Sequence, residues 1–178
     1  LDPFRVGEKV GHSVNYFKMR AGYLNLETKP FSQVNGRKSY QFEISIRTSD
    51  FFSSFYSVDD KVVTWMDFET LVPSVFQLHV RESAQIREAR SLFDFEKKTA
   101  TFWERKVTDK DGESNKKLEW EILDYSQNVY SAAFYLRVFQ WKVGSENAFR
   151  VANDSENLVF RGRAVRKEKL ETEAGTFD

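Results

Sequence analysis

The chain has no cysteine. Disulfides, thiolate metal sites and cysteine nucleophiles are therefore excluded. Histidine is almost as scarce, with 2 in the chain. Hydrolase triads and most zinc sites need a histidine near acids or a nucleophile. His12 and His79 are far apart, each on a predicted strand, so the sequence implies no catalytic residue and no metal set. Charge of either sign is not in excess: 27 Lys plus Arg balance 27 Asp plus Glu. A general polyanion binder needs a basic surplus, so nucleic acid is not expected as a partner. No apolar run approaches the roughly 18 residues of a spanning helix. Gly-x-Ser-x-Gly, His-Glu-x-x-His and Gly-rich phosphate loops are all missing, and no cofactor is implied.

Aromatic residues are abundant, with 17 Phe, 7 Tyr and 4 Trp. Each can bury more than roughly 150 Å². One sheet with a wet face would struggle to hide them, whereas two packed layers or a closed, curved sheet would manage. The alternative is that some line a cavity for an apolar ligand.

Along the chain, short alternating segments dominate. Residues 10–17 read as a strand, followed by an Ala21-Gly22 turn and a return strand. Asn35-Gly36 is a strong hairpin signal. Tyr40, Phe42, Ile44 and Ile46 then alternate with Gln41, Glu43, Ser45 and Arg47, as on a half-buried strand. Further strands are expected over residues 61–67, 76–80, 85–93, 99–107, 118–122, 149–152 and 158–172, with Asp111-Gly112 at the tip of a polar loop. Two stretches break the two-residue period. Phe51, Phe52, Phe55 and Tyr56 fall at helical spacing after Ser49 or Asp50 as a cap. Residues 126–141 carry a second helical pattern, with Ser126 as N-cap and Gly144 as stop. Some ten strands with two short helices predict an all-β fold: a curved antiparallel sheet or partly open β-barrel with two capping helices. Residues 1–178 read as a single domain. Its ending, Glu173-Ala174-Gly175-Thr176-Phe177, reads as a hairpin whose final strand has barely begun. The opening Leu1-Asp2-Pro3-Phe4, without Met, is what removal of a leader would leave.

Candidate ligand-binding residues follow from the aromatic pattern. Phe51, Phe52, Phe55 and Tyr56 would gate a cavity, with Trp65, Phe102 and Trp120 beneath; the alternative is that all are core. Arg161, Arg163, Lys167 and Lys169 would share one strand face. That face is either solvated or docks an acidic partner or an anionic lipid surface. Asp59 and Asp60, as strand neighbours, point to opposite faces and would not share a proton.

Several short phrases, taken in order, carry a resemblance. They are Phe4-Arg5-Val6-Gly7-Glu8-Lys9-Val10, Ala21-Gly22, the segment from Ser49 to Asp60, Asp67-Phe68-Glu69-Thr70-Leu71-Val72-Pro73, Tyr135-Leu136-Arg137, and Thr172-Glu173-Ala174-Gly175-Thr176-Phe177. In these the chain resembles a family of exported bacterial envelope proteins, periplasmic or lipoprotein-like, known only as a domain of unknown function. The resemblance implies export to the periplasm and a curved antiparallel sheet. It supplies no catalytic residues. The expected function is a non-catalytic envelope protein that binds an apolar or lipid-like ligand in the hollow of a curved sheet. The alternatives are a structural or protein-interaction module of the periplasm and a hydrolase acting on an envelope glycan.

Overall fold

The structure, a computed structural model, describes residues 3–177. Eight strands form one sheet: β1 (Lys9–Tyr16), β2 (Met19–Val34), β3 (Arg37–Thr48), β4 (Asp59–Asp67), β5 (Pro73–Glu82), β6 (Gln85–Asp94), β7 (Thr99–Thr108) and β8 (Gly112–Glu121). Each pairs antiparallel with its neighbour in the chain, and the sheet does not close, leaving β1 and β8 as edges. The all-β reading holds in its open form. Tight turns join several of these neighbours, while α1 (Asp50–Ser53) lies in the longer connection from β3 to β4. Asn35 and Gly36 both take positive φ (51° and 76°), the backbone a two-residue hairpin requires.

The alternation in β3 sets an inner and an outer face. Tyr40, Phe42, Ile44 and Ile46 stand opposite Met66, Thr64, Val62 and Asp60 of β4. The inner face continues through Phe76 and Leu78, Ala89 and Ser91, Phe102 and Glu104, and Lys116 and Leu118. The outer face carries Gln41, Glu43, Lys61, Val63 and Trp65.

A partial second layer covers the inner face. It consists of helix α2 (Val129–Tyr135), a 3₁₀ turn over Leu136–Val138, and the hairpin of β9 (Glu146–Asn153) and β10 (Glu156–Arg163). Phe134 of α2 is buried and stacks on Phe42 at 4.1 Å. Phe4, Tyr40 and Met66 complete that cluster. A second cluster gathers Val62, Phe76, Leu78, Ala89, Phe93, Ala100 and Ile122 beneath Ala152 of β9 and Tyr130 of α2. The C-terminal hairpin, β11 (Leu170–Thr172) with β12 (Gly175–Phe177), pairs with neither of these sheets.

Four local expectations need correction. Ala21-Gly22 is not the first turn: β1 and β2 are joined at Phe17-Lys18, both at positive φ, and Gly22 lies within β2 paired to Val14 and Thr48, where a Cβ would meet Arg47 O at 2.5 Å, so this glycine serves close backbone approach. The second helix starts later than the apolar period suggests and is only seven residues long. Ser126 is not its cap, because the backbone of Gln127 is taken by a bridge to β9: Gln127 N donates to Arg150 O, and Ala152 N donates to Gln127 O, both at 2.8 Å. Asn128 caps instead, accepting from Tyr130 N and Ser131 N. The first helix, α1, is one turn (Asp50–Ser53), and Ser49 at its N-cap position makes no side-chain cap bond. Its hydroxyl donates to Arg20 O at 2.8 Å, pinning the turn to β2. Finally, β10 ends at Arg163 and residues 164–169 are not strand. Arg161 and Arg163 share a strand face, but Lys167 and Lys169 lie beyond it, so the four cations do not form one strip.

Candidate functional site: a trough on the inner face

The second layer leaves part of the inner face open. There the sheet forms a trough with two lobes that meet at Tyr130. The first lobe, about 550 Å³, has a floor of Ile44, Ile46, Val62, Leu78 and Val80. Its walls are charged: Asp60, Glu82, Arg87, Glu104 and Lys106. The second, about 320 Å³, is lined by Phe76, Phe93, Phe102, Trp120 and Ala152, with Lys116 and Asp154 at its mouth. Leu78, Arg87, Glu104 and Tyr130 belong to both. Such volumes are in the range of small-molecule sites, roughly 300–1,000 Å³.

Strand alternation places these groups. Arg87 has the same parity as Ala89 and Ser91 on β6, so it emerges on the apolar face. Glu104 on β7 does likewise, and the Arg87 guanidinium donates to its carboxylate. Lys106 stands opposite Arg87 on the neighbouring strand, and it makes no ion pair among the described residues. Lys116 pairs with Asp154 at 2.7 Å, tying β8 to the β9–β10 turn. The Tyr130 ring packs edge-on against Phe76 at 5.1 Å. Burial pushes its hydroxyl above the ordinary tyrosine range.

At the far end of the first lobe two carboxyl groups meet. Glu82 accepts from the Tyr56 hydroxyl at 2.8 Å and from Gln85 Nε2 at 2.7 Å. Asp60 accepts from Arg81 N at 3.1 Å. Burial, and then the nearby charges of Glu82 and Asp59, push the Asp60 carboxyl above the ordinary aspartate range. Asp59 and Asp60 do face opposite ways, but Asp60 finds a carboxyl neighbour across the strands that local spacing could not disclose. In the second lobe the indole N–H of Trp120 is buried without an acceptor.

The residues singled out from sequence divide by face and by end. Phe102 and Trp120 line the second lobe. Trp65 is on the outer face, opposite Gln41 and Val75, so it cannot lie beneath the same cavity. Phe51, Phe52 and Phe55 line neither lobe. They cluster at the end of the sheet, where Phe52 meets Tyr16 of β1 edge-on at 6.5 Å. Tyr56 alone of the four reaches the trough, through Glu82. Arg161 lies 3.8 Å from Glu146; Arg161, Arg163, Lys167 and Lys169 are all exposed and none lines the trough. His12 and His79 sit on opposite faces of the sheet, His12 level with Leu24 of β2 on the inner side and His79 with Lys61 on the outer. Among the described residues no group of His, Asp and Glu is arranged to hold a metal ion. The polar wall of Asp60, Glu82, Arg87, Glu104 and Lys106 was not foreseen. Its signal was there in parity, since each shares the apolar register of its strand.

A depression on the outer face, of about 550 Å³, is lined by His79, Glu88, Arg90, Trp103, Arg105 and Lys117. Its polar groups pair with neighbours, Arg105 with Glu113 at 3.0 Å and His79 near Glu88 at 3.9 Å. It lacks the continuous apolar floor of the trough.

The Asp67–Pro73 connection is a structural device. Asp67 Oδ1 accepts from Glu69 N, Thr70 N and the Thr70 hydroxyl at 2.8–3.1 Å, while Oδ2 accepts from Arg37 Nε at 2.6 Å. This holds Leu71 in the left-handed region (φ 56°), and the Leu71 carbonyl then accepts from Gln127 Nε2 at 2.9 Å. The Asp67–Pro73 connection thus anchors the start of the second layer. No helix in the described residues is long and apolar enough to cross a membrane. Comparison with curated proteins and with solved structures gives no match. Residues 12–178 match the model of a family described as protein of unknown function (DUF3108), and the chain belongs to that family.

Proposed function

We propose that this is a non-catalytic protein of the bacterial cell envelope that holds an amphipathic, lipid-like ligand in the inner-face trough. The observation that supports it is the composition of the first lobe: five aliphatic side chains form its floor and charged groups of both signs form its wall. An apolar tail lies along the floor. The mixed wall suits an uncharged or zwitterionic head over a bare anion, because Asp60, Glu82 and Glu104 stand beside Arg87 and Lys106. Binding of N-phenylnaphthylamine, an uncharged fluorescent probe, tests this. The expected result is a rise in its emission that a lysophosphatidylethanolamine reverses and inorganic phosphate does not. No rise, or a rise unaffected by Ile46→Trp in the floor, would overturn the reading.

One observation favours a hydrolytic reading instead. Asp60 beside Glu82 has its carboxyl raised toward general-acid chemistry. Glu82 is already engaged by Tyr56 and Gln85, which leaves it poorly placed to activate water. Retention of wild-type behaviour by Asp60→Asn in a cell-envelope assay would remove this alternative.

A further inference from the structure

The aromatic cluster that does not reach the trough is the least explained part of the surface. Two loops converge at one end of the sheet: the β1–β2 turn, with Tyr16, Phe17 and Met19, and the α1 segment, with Phe51, Phe52 and Phe55. Their rings form a continuous chain. Tyr16 meets Phe17 at 4.7 Å and Phe52 at 6.5 Å, and Phe51 meets Phe52 at 5.4 Å and Phe55 at 5.6 Å. Yet Phe17 is 80% exposed, Phe55 75%, and Phe51 and Tyr16 60% each. We propose that this tip is a membrane-docking surface, which sinks its rings into the interfacial zone of a phospholipid bilayer.

Three features select a bilayer over a protein partner. The first is polar satisfaction. The serines among the rings direct their hydroxyls inward: Ser49 to Arg20 O, Ser53 to Asp50 O and Ser54 to Phe51 O, at 2.6–2.8 Å. The backbone N–H groups of Phe55 and Tyr56 both donate to Phe52 O. These hydroxyls and N–H groups, already bonded, lose little on leaving water. The second is area. The exposed side chains present roughly 600 Å² of apolar surface, the upper end for the largest patch of a soluble protein, while a standard protein interface needs about 800 Å² on each side. The third is charge. Lys18, at the turn, makes no ion pair among the described residues, and Arg20 lies over the Tyr23 ring at 5.7 Å and only 4.0 Å from Glu173. Asp50 is the one carboxylate within the two loops, so cations at the rim face lipid phosphates without a dense opposing field.

The position has a consequence. Tyr56, at the end of the same segment, bonds Glu82 on the trough wall. Docking would set the open end of the first lobe against the bilayer, where a lipid-like ligand would enter. Docking itself does not require the trough to hold a ligand.

Flotation of the full chain with vesicles of phosphatidylethanolamine and phosphatidylglycerol tests the proposal. The wild type is expected to float. Phe17→Ser, Phe51→Ser and Phe55→Ser should each lower the partition coefficient by about tenfold, with unchanged far-ultraviolet circular dichroism, because the side chains are exposed. Lys18→Glu should lower it less than any ring substitution. Absence of flotation, or equal flotation by the triple serine variant, would overturn the proposal. So would a wild type that self-associates and becomes monomeric in that variant, since a second copy would then cover the patch. Ile46→Trp should float like wild type and Phe17→Ser should still bind the fluorescent probe, so failure of docking and failure of the trough are told apart.

Discussion

Phe17 stands where the backbone asks for asparagine or glycine. It and Lys18 both take positive φ, 46° and 64°. A bulky side chain in the left-handed region costs roughly 1 kcal/mol, and this ring gains little burial in return. Phe17→Asn is therefore expected to raise the midpoint of thermal unfolding by about 2–4 °C, measured by circular dichroism. Such a gain would be expected if the Phe17 ring serves a contact outside the fold. Asp67 is the opposite case. Burial pushes its carboxyl up, but the bonds from Thr70 and the Arg37 guanidinium outweigh that and hold it below the ordinary aspartate range. Its contribution is fully present above the unfolded aspartate value and disappears as the pH falls through the depressed folded value. Asp67→Ala should cost about 2 kcal/mol at neutral pH, read from urea unfolding, and much less once the pH is below that folded value. Asp60 behaves with reversed sign. Its raised carboxyl destabilises the fold as pH rises from the unfolded value through the folded one, so Asp60→Asn should stabilise the protein at neutral pH and leave it unchanged in acid.

At the scale of elements, α2 is held by one residue more than by its own sequence. Asn128 accepts from Tyr130 N and Ser131 N with its side-chain oxygen, and its nitrogen donates to the Thr64 hydroxyl at 3.1 Å across the interface. Both residues are almost wholly buried. Asn128→Ala should cost about 2–3 kcal/mol, combining the lost cap with an unmet partner on the sheet. Asn128→Ser, which keeps a cap acceptor but is too short to reach Thr64, should recover about half of that in urea titrations. The same residue shows what the sequence disclosed and what it withheld. Strand β3 was readable from its own two-residue period, and Asn35-Gly36 announced its turn. The start of α2 was not readable, because it depends on Gln127 pairing with Val151, a contact the apolar period does not encode. The run from Arg161 to Lys169 failed for a related reason: alternation is defined only while the chain stays in strand, and residues 164–169 leave it. In the trough, the aromatic pattern picked out Phe102, Trp120 and Trp65 together, and aromatic content alone could not say that Trp65 faces the other way.

At the scale of the whole molecule, an open eight-stranded meander is bound by a second layer smaller than itself. The helix and the β9–β10 hairpin cover the Phe42 and Phe76 regions and leave the Ile46 end bare. Ile46 remains 44% exposed although it sits on the apolar face. A ligand that fills this gap binds the folded state alone, so it must stabilise folding by mass action. At a hundred times its dissociation constant the gain is about 2.7 kcal/mol, which for a chain of this length raises the unfolding midpoint by roughly 5–10 °C. The two lobes turn that shift into a measure of occupancy. Ile46 and Val129 are both partly exposed and line the first and second lobes respectively, so tryptophan at either fills its lobe without disturbing the buried clusters. A tail that runs beneath Tyr130 through both lobes should lose its stabilising shift in Ile46→Trp and in Val129→Trp alike. A ligand confined to the first lobe should lose it only in Ile46→Trp. Thermal scans of the two variants with lysophosphatidylethanolamines of increasing chain length would distinguish these cases. The expected pattern is that short chains are sensitive to position 46 alone and long chains to both, because the apolar floor continues through Leu78 from one lobe into the other.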